Sequence, residues 1–204
     1  MSWTMISNRQ LRAARGQARR SRWSGWFAVL LLVAFRDLSM AAAEENPPSE
    51  YQLKAAFLYN FAKFIEWPPG AFSSPQAPFV IGVIGMSPFD EHLERTVQNK
   101  RLNGHPFEIK QFKAITEVQG CHMLFICSSE RRRLGDILKA VNNASILTVS
   151  ELERFLPAGG MVQFVMEDKK VRFDINPEAA HRADLRISSK LMSVARRIYR
   201  PKTP

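Results

Sequence analysis

The sequence predicts an α/β fold in which helices flank a mostly parallel sheet, followed by a C-terminal antiparallel hairpin and a final helix. Three observations carry this reading. "FVIGVIG" (79–85) is a continuous apolar run, the pattern of a parallel strand covered on both faces. Short apolar strands then alternate with helical segments, the order that builds parallel sheets through helical crossovers. Finally, "GMVQFVME" and "KVRFDI" alternate with period two around Asp168-Lys169, which predicts a hairpin. Together these describe a Rossmann-like, doubly wound sheet with an antiparallel edge.

The elements follow in order. After a short polar leader (44–50), Ser49 is placed to cap a helix running from about Glu50 to Ile65. On a helical wheel Leu53, Ala55, Phe57, Leu58, Phe61, Ala62, Phe64 and Ile65 cover an arc of about 200°. So wide an apolar face needs cover on more than one side. Lys54 falls near the middle of that arc, so its stem must reach water or its ammonium must meet a carboxylate. The loop "WPPGAFSSPQAP" leads into the first long strand. "SPFDEHLERTVQNK" predicts a helix with Ser87 as cap and Pro88 at its first position. "HPFEIKQF" is a strand, "AITEVQG" a crossover, "HMLFICS" a strand and "SERRRLGDILKAVNN" a helix. "SILTVS" is a further strand, "ELERFL" a short helix, and after the hairpin a last helix spans about Ser188 to Tyr199.

The first 43 residues read as a leader. Seven arginines precede or flank the apolar run "WFAVLLLVAF" (26–35), and small residues follow at Ala41-Ala42-Ala43. A basic start, a ten-residue apolar stretch and an A-x-A site predict a signal peptide cleaved before Glu44 and export to the periplasm. The apolar run is well short of the ~20 residues that a spanning helix needs. The expected mature chain is one domain over 51–199, with a short tail at 200–204. The net charge of +10 belongs mostly to the discarded leader and to residues 181–204, so nucleic acid is not an expected partner. Cys121 and Cys127 lie at the two ends of one expected strand, about 20 Å apart at ~3.3 Å per residue, too far for a disulfide between them.

The chemistry of catalysis finds little support. "IGVIGMS" lacks both G-x-G-x-x-G and the G-K-[ST] ending of a phosphate loop. His92, His105, His122 and His181 form no metal-ligand spacing, and no G-x-S-x-G elbow is present. No catalytic residue, cofactor or metal is expected.

Four stretches in order, "YQLKAAFLYNFAKFIEWP", "GCHMLFI", "GGMVQFV…VRFDIN" and "LRISSKLMSVAR", resemble the YfiR family of exported bacterial proteins over about residues 50–199. That resemblance implies a periplasmic regulatory adaptor, acting as a homodimer, that represses a membrane signalling protein. The implied partner is the periplasmic domain of an inner-membrane sensor or diguanylate cyclase. An outer-membrane, peptidoglycan-linked lipoprotein is a second implied partner, and control of cyclic-di-GMP and biofilm behaviour follows. The best-understood member carries two intrachain disulfides. Cys121 matches one of its cysteines, but the neighbouring strand "FVIGVIG" offers no mate.

The residues expected to face a partner are Tyr59, Lys63, Glu66 and Trp67 along and after the opening helix, with the basic segment around Arg186 and Lys190 as the other candidate surface. A small-molecule-binding sensor is the alternative, using a sheet-edge cleft lined by Trp67 and phenylalanines.

Overall fold

The computed structural model describes residues 48–142 and 144–201. The leader expected over 1–43 lies outside the described residues. The first helix, α1 (Glu50–Phe64), begins as predicted: Ser49 is its N-cap and accepts a hydrogen bond from the Gln52 amide at 3.2 Å. Ile65 leaves the helix in extended conformation and opens the two-residue strand β1 (Ile65–Glu66).

The central elements are β2 (Phe79–Ile84), α2 (His92–Val97), β3 (Arg101–Leu102), β4 (His105–Phe112), β5 (Met123–Ile126), α3 (Leu134–Val141) and β6 (Leu147–Ser150). The hairpin strands β7 (Val162–Glu167) and β8 (Lys170–Ile175) follow, and then come α4 (Pro177–Arg182), β9 (Arg186–Ile187), α5 (Ser189–Val194) and β10 (Arg197–Ile198). The eight-stranded sheet has the order β10-β8-β7-β6-β5-β2-β4-β3. Strands β4, β2, β5, β6 and β7 are parallel neighbours, β7 and β8 are antiparallel, and β10 adds parallel to β8. The hairpin turns at Asp168 (φ 49°) and Lys169 (φ 59°), the left-handed pair that matches strand twist in a two-residue turn.

Two cores lie on the two faces of the sheet. The larger holds Phe61, Phe79, Phe125, Phe164 and Phe173 beneath α1, and Leu93 of α2 and Leu191 of α5 join it. The second holds Leu124, Ile126, Phe112 and Phe155 beneath Ile137, Leu138 and Val141 of α3. Gly82 is required on the face of the second core: a Cβ there would fall 2.3 Å from the Phe112 ring and 2.9 Å from Cys121 Sγ. Cys121 belongs to the second core and Cys127 to the first, and both are free thiols. Burial pushes each thiol up to about 12.

Several expected boundaries moved. The helix expected from Ser87 starts at His92, because Asp90 takes a left-handed φ of 47°; Ser87 instead closes a turn by accepting from the Phe89 amide. "SERRR" coils as a 3-10 turn (Ser128–Arg133) before α3 begins. No helix forms over "ELERFL": Arg154 is left-handed at φ 63°, and Leu152, Phe155 and Leu156 reach the core from turns. The last helix stops at Val194. Beyond it, buried Asp174 accepts bidentate bonds from Arg196 at 2.8 and 2.6 Å and a third bond from Arg197 at 2.9 Å, which draws the chain out into β10. A short helix not anticipated, α4, starts where Asn176 caps and Pro177 takes the first turn.

Candidate functional site

In a doubly wound sheet, ligands bind at the carboxyl edge where strand order reverses, here between β2 and β5. At the end of β2 this edge is close-packed. Gly85 turns with φ 97°, Ser129 Oγ accepts from the Met86 amide at 2.9 Å, and a Cβ on Gly85 would lie 2.4 Å from that same oxygen. Beside it, Lys54 is buried and bonds both Glu50 and Glu151, so the carboxylate alternative foreseen for it is the one the fold uses. Tyr51 donates to Glu151 at 3.3 Å; burial first, and then the Glu151 charge, push its phenol up to about 12. This cluster sets one ammonium between two carboxylates and joins α1 to the end of β6.

The opposite, amino edge of the sheet carries aromatic and imidazole chemistry. The strand starts Phe79, His105 and His122 meet the loop 67–78 there. The Phe72 ring is sandwiched between the imidazoles of His105 (centroids 3.9 Å) and His122 (4.4 Å), and Trp67 packs edge-on against Phe79 at 4.9 Å. The indole N–H of Trp67 donates to the His122 carbonyl at 3.3 Å. Nothing in the sequence marks this assembly, because its members come from three strands and a loop.

From this edge the chain passes to two exposed residues of the expected partner set. Strands β1 and β9 pair antiparallel, with Glu66 directly opposite Arg186, both exposed. A groove of about 520 Å³ follows, lined by Glu66, Trp67, Pro68, His181, Asp184 and Arg186 among others. The two surfaces named separately from the sequence are therefore one surface at this point. Lys190 continues it as an exposed residue of α5. Tyr59 and Lys63 form another patch: the Tyr59 ring packs on Phe107 at 5.5 Å, with the ammonium groups of Lys63 and Lys100 at 5.5 and 4.3 Å from its centroid. A second groove of about 640 Å³ lies at the amino ends of β5 and β6, walled by Gly70, Ala71, Val118, Cys121, His122 and Ile146 among others. The cleft expected beside Trp67 is thus the smaller of the two, and its lining includes no phenylalanine.

Among the described residues no group of three or more His, Cys, Asp or Glu side chains could hold a metal, and no helix is long and apolar enough to cross a membrane.

Comparison with known proteins adds the family. The family described as DUF4154, YfiR/HmsC-like, matches residues 51–196. No curated protein matches. Among solved structures, a conserved domain protein from Vibrio cholerae O1 biovar El Tor is similar in fold at 11% identity, with a TM-score of 0.51. The match covers 74% of this chain and 60% of that one.

Proposed function

The chain belongs to the YfiR/HmsC-like family, and from that membership we propose that it is a regulatory adaptor that binds and represses a membrane signalling protein, so controlling cyclic-di-GMP. The family supports the broader statement, a periplasmic regulator of cyclic-di-GMP signalling rather than an enzyme. The finer reading names the periplasmic domain of an inner-membrane diguanylate cyclase as the target, with a homodimer as the acting form. An outer-membrane, peptidoglycan-linked lipoprotein is the proposed antagonist.

The observation that carries the reading is the family match across residues 51–196. At the carboxyl edge, Ser129 and Glu130 pack closely against the turn at Gly85. Meanwhile Glu66, Trp67 and Arg186 stand together on an accessible, mixed-charge surface. Such a surface suits recognition of a folded partner, since opposed charges fix register and exclude wrong partners. Deleting the gene in its host tests this: cyclic-di-GMP should rise and fall again on complementation, and an unchanged level would contradict repression.

A second reading, a small-molecule sensor, is favoured by one observation, the 640 Å³ groove at the amino edge, which is large enough for a metabolite. A saturable thermal shift with one metabolite, lost on Ala71→Trp in the groove wall, would support it.

A further inference from the structure

The long strand β4 is covered on its outer side only in part. The two-residue strand β3 pairs with it at Arg101–Pro106 and Leu102–His105, and no further strand among the described residues lies beyond. At the other end of the sheet β10 covers β8, with the Arg196 amide on the Phe173 carbonyl and the Tyr199 amide on the Ile175 carbonyl.

Which β4 groups point outward follows from β2. The Val80 and Ile84 carbonyls accept from the His122 and Cys127 amides, so Val80, Gly82 and Ile84 aim at β5. By alternation Phe79, Ile81 and Val83 aim at β4, where each bonds the neighbours of the residue opposite it, as parallel strands do. Glu108, Lys110 and Phe112 therefore face β2, and Phe107, Ile109 and Gln111 turn their N–H and C=O groups outward. Among the described residues nothing bonds these outward groups.

Side chains along this open stretch are sorted by face. Phe107 and Ile109 are half-buried against the larger core, and Phe107 meets Phe79 and Tyr59 at 5.3 and 5.5 Å. Glu108 and Lys110 stand on the other face, 3.5 Å apart and partly exposed. A groove of about 790 Å³ adjoins the stretch, lined by Val97, Lys100, Arg101, Phe107, Glu108 and Ile109 among others.

We propose that β4 is a docking edge, at which an extended segment of a partner protein adds as an antiparallel strand opposite residues 107–111. Main-chain bonds at Phe107, Ile109 and Gln111 supply the attachment. The segment's residues opposite Phe107 and Ile109 are apolar, because they share the face of the larger core. Those opposite Glu108 and Lys110 are a base and an acid in that order. Antiparallel addition sets these two positions in the closely spaced, non-hydrogen-bonded pairs, where opposed charges meet best.

A second copy of the chain fits the charges but not the space. About Ile109 the strand is self-complementary, with Glu108 opposite Lys110 of the other chain. In that register Phe112 of each chain falls opposite Pro106 of the other, the place that Arg101 already holds. Strand β3 thus keeps β4 from pairing with itself, yet leaves room for a strand that ends opposite Phe107. The edge shares no residue with the Glu66–Arg186 groove, so the inference stands whether or not that groove engages a cyclase.

The probe is a cyclic hairpin peptide that presents Thr-Glu-Val-Lys-Val along one open edge, because it arrives already extended. Titrated into the isotope-labelled, unmodified chain, it should move the amide signals of Phe107, Ile109 and Gln111 saturably and slow their exchange with solvent about tenfold. N-methylation of the probe's central valine removes a ladder donor and should weaken binding about tenfold. Lys110→Glu should weaken it about threefold, and a probe with Lys in place of Glu should recover the loss. Signals over 107–111 that stay fixed at about 1 mM probe would overturn the proposal, and so would equal binding of the N-methylated probe. Sedimentation gives the remaining readout, on the chain alone. Self-association that moves the same signals would assign the edge to a second copy and would also overturn it.

Discussion

Glu66 and Arg186 stand directly opposite each other across the antiparallel pair β1–β9, both open to solvent. Opposed charges at such positions contribute about 0.2–1 kcal/mol, and like charges there are destabilising by similar amounts. Arg186→Glu alone should therefore lower the melting temperature by a few degrees, and adding Glu66→Lys should restore it. Differential scanning calorimetry on the three variants reads this directly. A single variant as stable as the unmodified chain would mean that the two side chains do not interact.

Phe61 is fully buried, stacked on Phe164 and set edge-on to Phe173 (centroids 5.7 and 5.0 Å), so it is the point at which α1 grips the hairpin. Phe61→Ala should cost about 3–5 kcal/mol through the cavity it leaves. Denaturant unfolding should show the midpoint fall with little soluble folded protein remaining at 37 °C. A loss below about 1 kcal/mol would mean that the helix is not anchored there.

Lys54 gives a contrast within one cluster. Its side chain is 3% exposed, Glu151 is 18% exposed and Glu50 39%. Lys54→Ala leaves the Glu151 carboxylate without its cation and should cost about 3 kcal/mol, the low end for a broken buried pair because Glu151 still reaches some water. Glu50→Gln should cost ~0–1 kcal/mol, since Glu50 is well solvated. Unfolding curves that rank the two variants in the opposite order would relocate the essential carboxylate to Glu50.

The two thiols face opposite cores, so non-reducing mass spectrometry of denatured, alkylated protein should find no peptide joining Cys121 to Cys127. With both held up at about 12, alkylation of the native protein should be slow at neutral pH and become rapid only on unfolding. Rapid native labelling at Cys121 would mean that the wall of the 640 Å³ groove opens readily.

Local patterns carried much of this fold into the sequence. Strand β4 is legible to the residue, since "HPFEIKQF" holds an unbroken extended pattern between turn signals. The hairpin is equally plain, because its turn residues sit between two alternating runs. What failed was set by distant partners. "ELERFL" spaces Leu152, Phe155 and Leu156 like a helix face, yet Ser150 Oγ accepts from the Leu152 amide and the segment coils into turns. The last helix is cut short by Asp174, whose reach to Arg196 and Arg197 is invisible locally. The same holds for the candidate surface. Glu66 and Arg186 were each visible as exposed charge, but only strand pairing unites them. His122 read as a lone histidine, because its loop partners, Ala71 and Phe72, lie far away in the chain.

In the proposed function, the Glu66–Arg186 surface is the one that would engage a membrane cyclase and hold it down. The reciprocal variant, Glu66→Lys with Arg186→Glu, keeps the two charges opposed within the chain and reverses them toward any partner. Cyclic-di-GMP should be measured in cells in which this variant replaces the unmodified protein at equal abundance and with a melting temperature within a few degrees. The level should rise toward that of the deletion strain. A folded, equally abundant variant that keeps cyclic-di-GMP at the unmodified level would contradict it.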